Sequence, residues 1–315
     1  MGANRRDNQG WVISRRVFLK ASAGAAGSLA LSGLSCGSFR PGVRRGAARF
    51  GIVTDIHFAD ADRVWTRYYR HSIAKLNECV ELMNLKEVDF LIELGDFKDQ
   101  NDPPVEKRTI SHLQTVETVF RKFNGPTYHV LGNHDMDSIS KKQFLINVEN
   151  TGISSRRSYY SFDLNNLHFV ILDANYKSDG TDYDHGNFKW TDTNVPEPEL
   201  KWLKRDLAAA RGRAILFIHQ RLDGTGSKYV KNAGQVRQIL QDSGKALAVF
   251  QGHHHEGGYS RIGGIHYYTL KAMVEGPGTE NSSYAIVQTM PDASIAITGY
   301  RKAVSKKLDP ATTSS

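Results

Sequence analysis

An α/β fold is what this sequence predicts, on three observations. Short β-branched and aromatic runs recur along the chain, amphipathic helical stretches alternate with them, and the last part turns to strand-like segments divided by turns. Taking the elements in order, residues 50–53 (FGIV) break into Thr54-Asp55, and 72–85 then carry Ile73, Leu76, Val80 and Met83 on one helical stripe. Residues 90–94 run into Gly95-Asp96, and 106–123 repeat the helical stripe with Ile110, Leu113, Val116 and Phe120. Strand-like 128–131, 168–172, 214–218 and 247–250 run into Gly132-Asn133-His134-Asp135, Asp173, His219 and Gly252, with helical patterns at 200–210 and 235–241 among them. Continuous apolar runs of this length fit strands buried on both faces, with the helices outside. Residues 264–271, 284–290 and 294–300 are expected to form a more antiparallel second sheet, and the polar stretches 97–107 and 175–197 to be surface loops or lids.

With 315 residues and 40% hydrophobic side chains, the chain can bury a large core. Its net charge of +8 is unevenly placed: Arg5, Arg6, Arg15, Arg16, Lys20, Arg40, Arg44 and Arg45 against Asp7 supply seven of those charges. The remainder is near neutral, which argues against nucleic acid as a partner. Residues 14–20 (SRRVFLK) precede an uncharged stretch at 21–34, too short at about 1.5 Å per residue to cross a bilayer core of about 30 Å. This leader resembles a twin-arginine export signal. That implies a bacterial protein handed to the twin-arginine export machinery, with a periplasmic or cell-envelope location and no stable membrane insertion. The expected organisation is a signal at 1–36, a linker at 37–48, one domain at 49–303 and a disordered tail at 304–315. Lipid anchoring through Cys36 is a weaker alternative to simple cleavage, because Gly33 stands where a lipobox usually has Leu. Cys79, at helical intervals from Leu76 and Met83, is expected to be a buried small hydrophobe.

In open α/β sheets ligands gather at the carboxyl ends of strands, and every polar cluster named above sits at such an end. Asp55 and His57 are two apart, as are His253 and His255, so in extended backbone each pair projects to one side and His254 points away. Asp96, Asn133 and His219 add one donor each from three other strand ends. Carboxylate, amide and imidazole without thiolate suit Mn, Fe, Zn or Co. Seven such groups are too many for one ion and suit two that share an acidic residue.

Asp55-x-His57, Gly95-Asp96-x-x-Asp99, Gly132-Asn133-His134-Asp135, His219 and Gly252-His253-x-His255 follow the order found in the calcineurin-like metallophosphoesterases, which this chain resembles. The resemblance implies a four-layer α-β-β-α sandwich of two mixed sheets. It places Asp55, His57, Asp96 and His255 on one metal and Asp96, Asn133, His219 and His253 on the other. It makes His134 the phosphate-facing catalytic histidine, beside an attacking hydroxide that bridges the metals, and gives Asp99 and Asp135 supporting roles. "RYYRHSIAKL", "HGNFKW" and "GIHYYTLKAMVEGP" look like the manganese-dependent ADP-ribose/CDP-alcohol diphosphatase branch, implying a nucleoside diphosphate-linked substrate. Tyr68, Tyr69 and Tyr259 are candidates to stack on its base or line the cleft; the alternative is that Tyr68 and Tyr69 pack at a helix start and Tyr259 begins a strand.

The expected function is therefore an exported dinuclear-metal phosphoesterase cleaving a phosphodiester or pyrophosphate in a small phosphate ester. A secreted phosphomonoesterase is the first alternative, though Phe97-Lys98-Asp99 offers no tyrosine ligand of the purple acid phosphatase kind. A non-catalytic binding protein on the same fold is the second, and that reading expects missing ligands where none is missing.

Overall fold

Phe50 and Ile52 point from strand β1 (Arg49–Val53) into an aromatic core between two sheets, and the rest of the molecule is layered on that contact. The structure, a computed structural model, describes residues 47–310. The leader, most of the linker and Cys36 lie outside the described residues, as do residues 311–315.

Strand β1 pairs in parallel with β2 (Phe90–Glu93), and β2 with β3 (Thr127–His129). Helices α1 (Ser72–Leu85), α2 (Glu106–Phe120) and α3 (Lys141–Asn147) cover the outer face of this sheet, sealing a core that includes Leu76, Met83, Leu113, Val116 and Phe144. The second sheet begins with the antiparallel pair β4 (Tyr160–Leu164) and β5 (Leu167–Ile171). It continues in parallel through β6 (Arg213–Ile218) and β7 (Ala246–Gln251), covered by α4 (Glu197–Ala209) and α5 (Ala233–Ser243). The result is the expected α-β-β-α sandwich of two mixed six-stranded sheets.

The C-terminal strands differ from expectation. They build no sheet of their own. Strand β9 (Ile265–Thr269) lies parallel to β7, with β8 (Gly258–Ile262) antiparallel at its edge. By contrast β10 (Ser283–Thr289) crosses to the first sheet and pairs antiparallel with β1, followed by β11 (Ile295–Arg301). Residues 306–308, expected in a disordered tail, form edge strand β12 (Lys306–Leu308), because Leu308 is buried in the core between the sheets. Helix α3 was not expected, though its start is marked by a capping box in which Ser140 and Gln143 satisfy each other's backbone N–H groups. Cys79 is buried in the α1 layer, as its spacing suggested, and burial pushes its thiol well above the ordinary range. Among the described residues no helix is long and apolar enough to cross a membrane.

Phe50 stacks on Phe90 at 4.8 Å and meets Phe169, Phe217 and Phe250 edge-on at 5.6, 5.7 and 5.9 Å. Because it joins the two sheets at the centre, Phe50→Ala is expected to cost about 3–5 kcal/mol of stability. Denaturant melts of the two proteins check this.

Candidate metal centre

The strand ends of both sheets open onto one cleft. Asp55 and His57 follow β1, Asp96 follows β2, Asn133 and His134 follow β3, His219 follows β6, and His253 to His255 follow β7. All seven expected ligands converge there. Donor atoms of Asp55, His57 and His255 lie within 4.8 Å of one another, as do those of Asp96, His219 and His253. Asp96 joins the two groups: its Oδ2 is 3.5 Å from His57 Nε2 and 3.2 Å from His219 Nε2. Asn133 is buried beside them and helps line the cleft.

How the paired ligands meet differs from the expectation of extended backbone. Asp55, His57, Asp96 and His253 all have left-handed backbone, at φ of 50°, 46°, 56° and 66°. Such angles cost non-glycine residues about 1–3 kcal/mol each and persist where the surroundings over-determine them. The tight turns also leave no room for side chains at their glycines: a Cβ at Gly132 would fall 2.1 Å from Asp96 N, and one at Gly252 2.1 Å from Thr54 Oγ1. His254 is not apart from the site. It lines the cleft with His253 and His255, and the expectation that it is turned from the site is corrected.

Three of the imidazoles are aimed by a bond at their other nitrogen. His57 Nδ1 faces Asp99 Oδ2 at 3.2 Å, His219 Nδ1–H donates to the Leu94 carbonyl at 2.8 Å, and His255 Nδ1 faces Glu275 Oε1 at 2.5 Å. Asp135 grips the loops themselves, accepting from the N–H groups of Gly132, Asp96 and Phe97 at 2.8, 3.1 and 3.0 Å. The expected supporting placement of Asp99 and Asp135 thus matches their positions, while Glu275 carried no sequence signal beyond a turn-rich stretch.

The field of the cluster fits a cation: Asp96, Asp55 and Glu275 hold protons on two of the imidazoles, and a bound metal ion would take the place of those protons. Burial pulls His219 down, but Asp96 outweighs it and pushes the imidazole up to about 10. His255 is likewise pulled down by burial and lifted by Asp55 and Glu275, to about 9. Burial, with His219 beside it, holds His253 down at about 3, so it presents a free lone pair. Asp55 Oδ1, His57 Nε2, Asn133 Oδ1 and His219 Nε2 are buried with no hydrogen-bond partner. Four converging orphans at about 1–3 kcal/mol each are tolerated when something else satisfies them. Two divalent ions sharing Asp96 are what this oxygen and nitrogen donor set fits.

The family model for calcineurin-like phosphoesterases matches residues 48–257. The chain belongs to that family. It is a metal-dependent phosphoesterase that works with two divalent metal ions. Among curated relatives, the manganese-dependent ADP-ribose/CDP-alcohol diphosphatase of Oryza sativa subsp. japonica is 29% identical over 288 residues, covering 77% of this chain and 88% of that protein. The enzyme of that name from Homo sapiens is 22% identical over 301 residues, covering 77% and 87%. A dimetal phosphatase from Danio rerio has the same fold, with a TM-score of 0.71 at 20% identity over 84% of this chain and 99% of that one.

Above the metal ligands the phosphoesterase has a cleft of about 420 Å³, walled by Arg67, His134, Trp190, Lys228, His254 and Glu256. His134 is 30% exposed at the side chain, and its Nδ1 faces Asp99 Oδ1 at 3.5 Å and Asp137 Oδ2 at 3.9 Å. The three tyrosines proposed to stack on a base are elsewhere. Tyr69 is buried against Ala59, Ala272 and Val274; Tyr68 packs on His71; and the Tyr259 hydroxyl meets His266 Nδ1 at 3.0 Å. None of them lines the cleft, and Trp190 stands in their place. The long loop that carries Trp190 is anchored as a fixed wall, with Tyr183 fully buried and stacked on Phe188 at 3.9 Å.

Proposed function

We propose that this phosphoesterase hydrolyses the pyrophosphate bond of a small nucleoside diphosphate-linked ester. The observation that carries the reading is the cleft wall: beside the metal ligands stand two cations, Arg67 and Lys228, and an exposed flat ring, Trp190. A monoester offers one phosphate to the metals and nothing for the rest. A diphosphate offers a second phosphate to a cation and a base to the indole. The names of the rice and human relatives support the same substrate class.

In this reading Asp55, His57, Asp96 and His255 hold one metal ion, and Asp96, Asn133, His219 and His253 the other. Bound there, the pair would polarise the phosphoryl oxygens and make water a competent nucleophile at neutral pH. His134, on the open side of the cluster, donates a proton to the leaving oxygen, with Asp99 holding Nδ1 so that Nε2 faces the substrate. The left-handed turns fix the ligands before substrate arrives. The export signal read in the leader fits the same enzyme acting in the cell envelope on nucleotide derivatives met there. Cell fractionation showing the protein confined to the cytoplasm would sink that part.

The test is a hydrolysis screen of the manganese-loaded protein over ADP-ribose, CDP-alcohols, cyclic nucleotides and simple monoesters. A higher kcat/KM for the diphosphates is expected, and a preference for monoesters would overturn the reading. Arg67→Ala and Lys228→Ala are each expected to raise KM for a diphosphate about tenfold, for a loss of about 1.4 kcal/mol of charge-assisted binding. They should leave hydrolysis of a nitrophenyl monoester unchanged.

A further inference from the structure

Beneath the turn that carries Asp96 lies a chain of three buried ionisable side chains that the chemistry above does not use. Glu93, the last residue of β2, is fully buried. Its Oε1 faces His129 Nδ1 at 3.0 Å, and its Oε2 accepts the Gly95 N–H at 2.8 Å. His129 Nε2 in turn faces Glu117 Oε2 on α2 at 3.2 Å. The imidazole sits in an apolar cage, with the rings of Phe97 and Phe120 each 5.0 Å from it. Burial pulls His129 down, but Glu117 and Glu93 outweigh it and push it up to about 10, so it carries a charge there at neutral pH.

Burying such charges costs several kcal/mol per ion, and apolar side chains of the same volume commonly pack as well or better. Stability alone therefore does not account for the chain. What it reaches is the metal centre. Gly95 and Asp96 are consecutive left-handed residues, at φ of 97° and 56°, and the carbonyl just before them receives His219 Nδ1–H. Asp135 grips the N–H groups of Asp96 and Phe97, whereas the Gly95 N–H is gripped by Glu93.

We propose that Glu93, braced by His129 and Glu117, is a positioning residue that sets the Leu94–Gly95–Asp96 turn and so the placing of Asp96 between the two halves of the metal centre. The proposal rests on the reading of Asp96 as the shared ligand. Two variants separate positioning from mere packing. Glu93→Gln keeps an acceptor for the Gly95 N–H. The triple variant Glu93→Met/His129→Leu/Glu117→Met replaces the whole chain by apolar groups that suit the aromatic cage. Leu203→Ala, a cavity in the distant α4 layer, serves as a destabilised control.

Mn²⁺ titration calorimetry of the metal-free proteins, alongside thermal melts, is the experiment. Expected are near wild-type Mn²⁺ binding for Glu93→Gln and for Leu203→Ala, and a folded triple variant whose Mn²⁺ affinity falls about 10–100-fold, the range seen when partners of metal ligands are lost. The proposal is overturned if the folded triple variant binds both ions as wild type does, or if Leu203→Ala or Glu93→Gln loses as much affinity. Should the triple variant fail to fold, Glu93→Leu alone, titrated below its melting temperature, gives the same comparison with the same two outcomes. Wild-type protein that binds no Mn²⁺ would instead overturn the metal assignment itself.

Discussion

His134→Ala is expected to lower kcat by about 10²–10⁴-fold while leaving two metal ions per chain, because proton transfer by a positioned side chain is typically worth that much. The geometry separates the two effects. His134 lines the cleft with its ring edge-on to that of His57 at 4.7 Å, while its backbone N–H donates to Asp96 Oδ1 at 2.7 Å, and alanine retains that N–H. Metal analysis and steady-state kinetics on one preparation check the prediction, and unchanged turnover would remove His134 from the mechanism. The pH dependence has a definite sign. Burial pulls the imidazole down, but Asp99 and Asp96 outweigh it and push it up to about 9. A group that must donate a proton is competent below its pKa, so kcat falls as pH rises through that value. Two bound cations would draw this alkaline limb down toward neutrality. Asp99→Asn should move the limb to lower pH, and His134→Ala should abolish it.

Asp96→Asn is expected to fail differently, with loss of bound metal and a fall in activity of about 10³-fold or more. Its Oδ2 lies between His57 Nε2 and His219 Nε2, so one substitution weakens both halves of the centre. Metal ions stabilise transition-state charge by several kcal/mol, and about 4 kcal/mol corresponds to about 10³-fold in rate. The fold should survive, since the amide matches the carboxylate in size. A thermal readout makes the distinction without any assay of activity. A ligand present at 100 times its Kd stabilises the native state by about 2.7 kcal/mol. Excess Mn²⁺ should therefore raise the melting temperature of the wild-type chain and of His134→Ala, but have little effect on Asp96→Asn. An unaltered metal stoichiometry in Asp96→Asn would refute its role as the shared ligand.

The seven side chains that converge on the candidate metal centre were legible in the sequence because each follows closely on an apolar strand, and strand ends are where an α/β sheet presents its chemistry. Donor identity is also demanding: two ions with oxygen and nitrogen ligands need these side-chain types and few others, so the set of seven was recoverable at a distance of some two hundred residues, from Asp55 to His255. The cleft wall was not legible. Arg67, Trp190 and Lys228 stand on irregular loops, where no period says which way a side chain faces. Tyr68, Tyr69 and Tyr259 were the aromatic candidates the sequence offered, with plain packing as their alternative, and the structure shows Tyr69 committed to the interior.

What the sequence by itself determined was the kind of element at most positions, an α/β class with helices outside, and the side chains that gather at the candidate metal centre, all of which follow from local apolar period and residue chemistry; the layered sandwich came from the family resemblance. Only the tertiary structure decided partnership and direction. Strand β10 joins β1 rather than β9 because its alternate residues Ala285 and Val287 complete the aromatic core around Phe50, a match that no local pattern encodes. His254 lines the cleft because the chain beyond β7 turns back on itself, with the Gly257 N–H donating to the His254 carbonyl at 2.7 Å, instead of continuing as an extended strand. The contacts of Glu93 with His129 and of His129 with Glu117, beneath the left-handed turn at Gly95 and Asp96, arise where β2, β3 and α2 meet, and exist only once all three have packed.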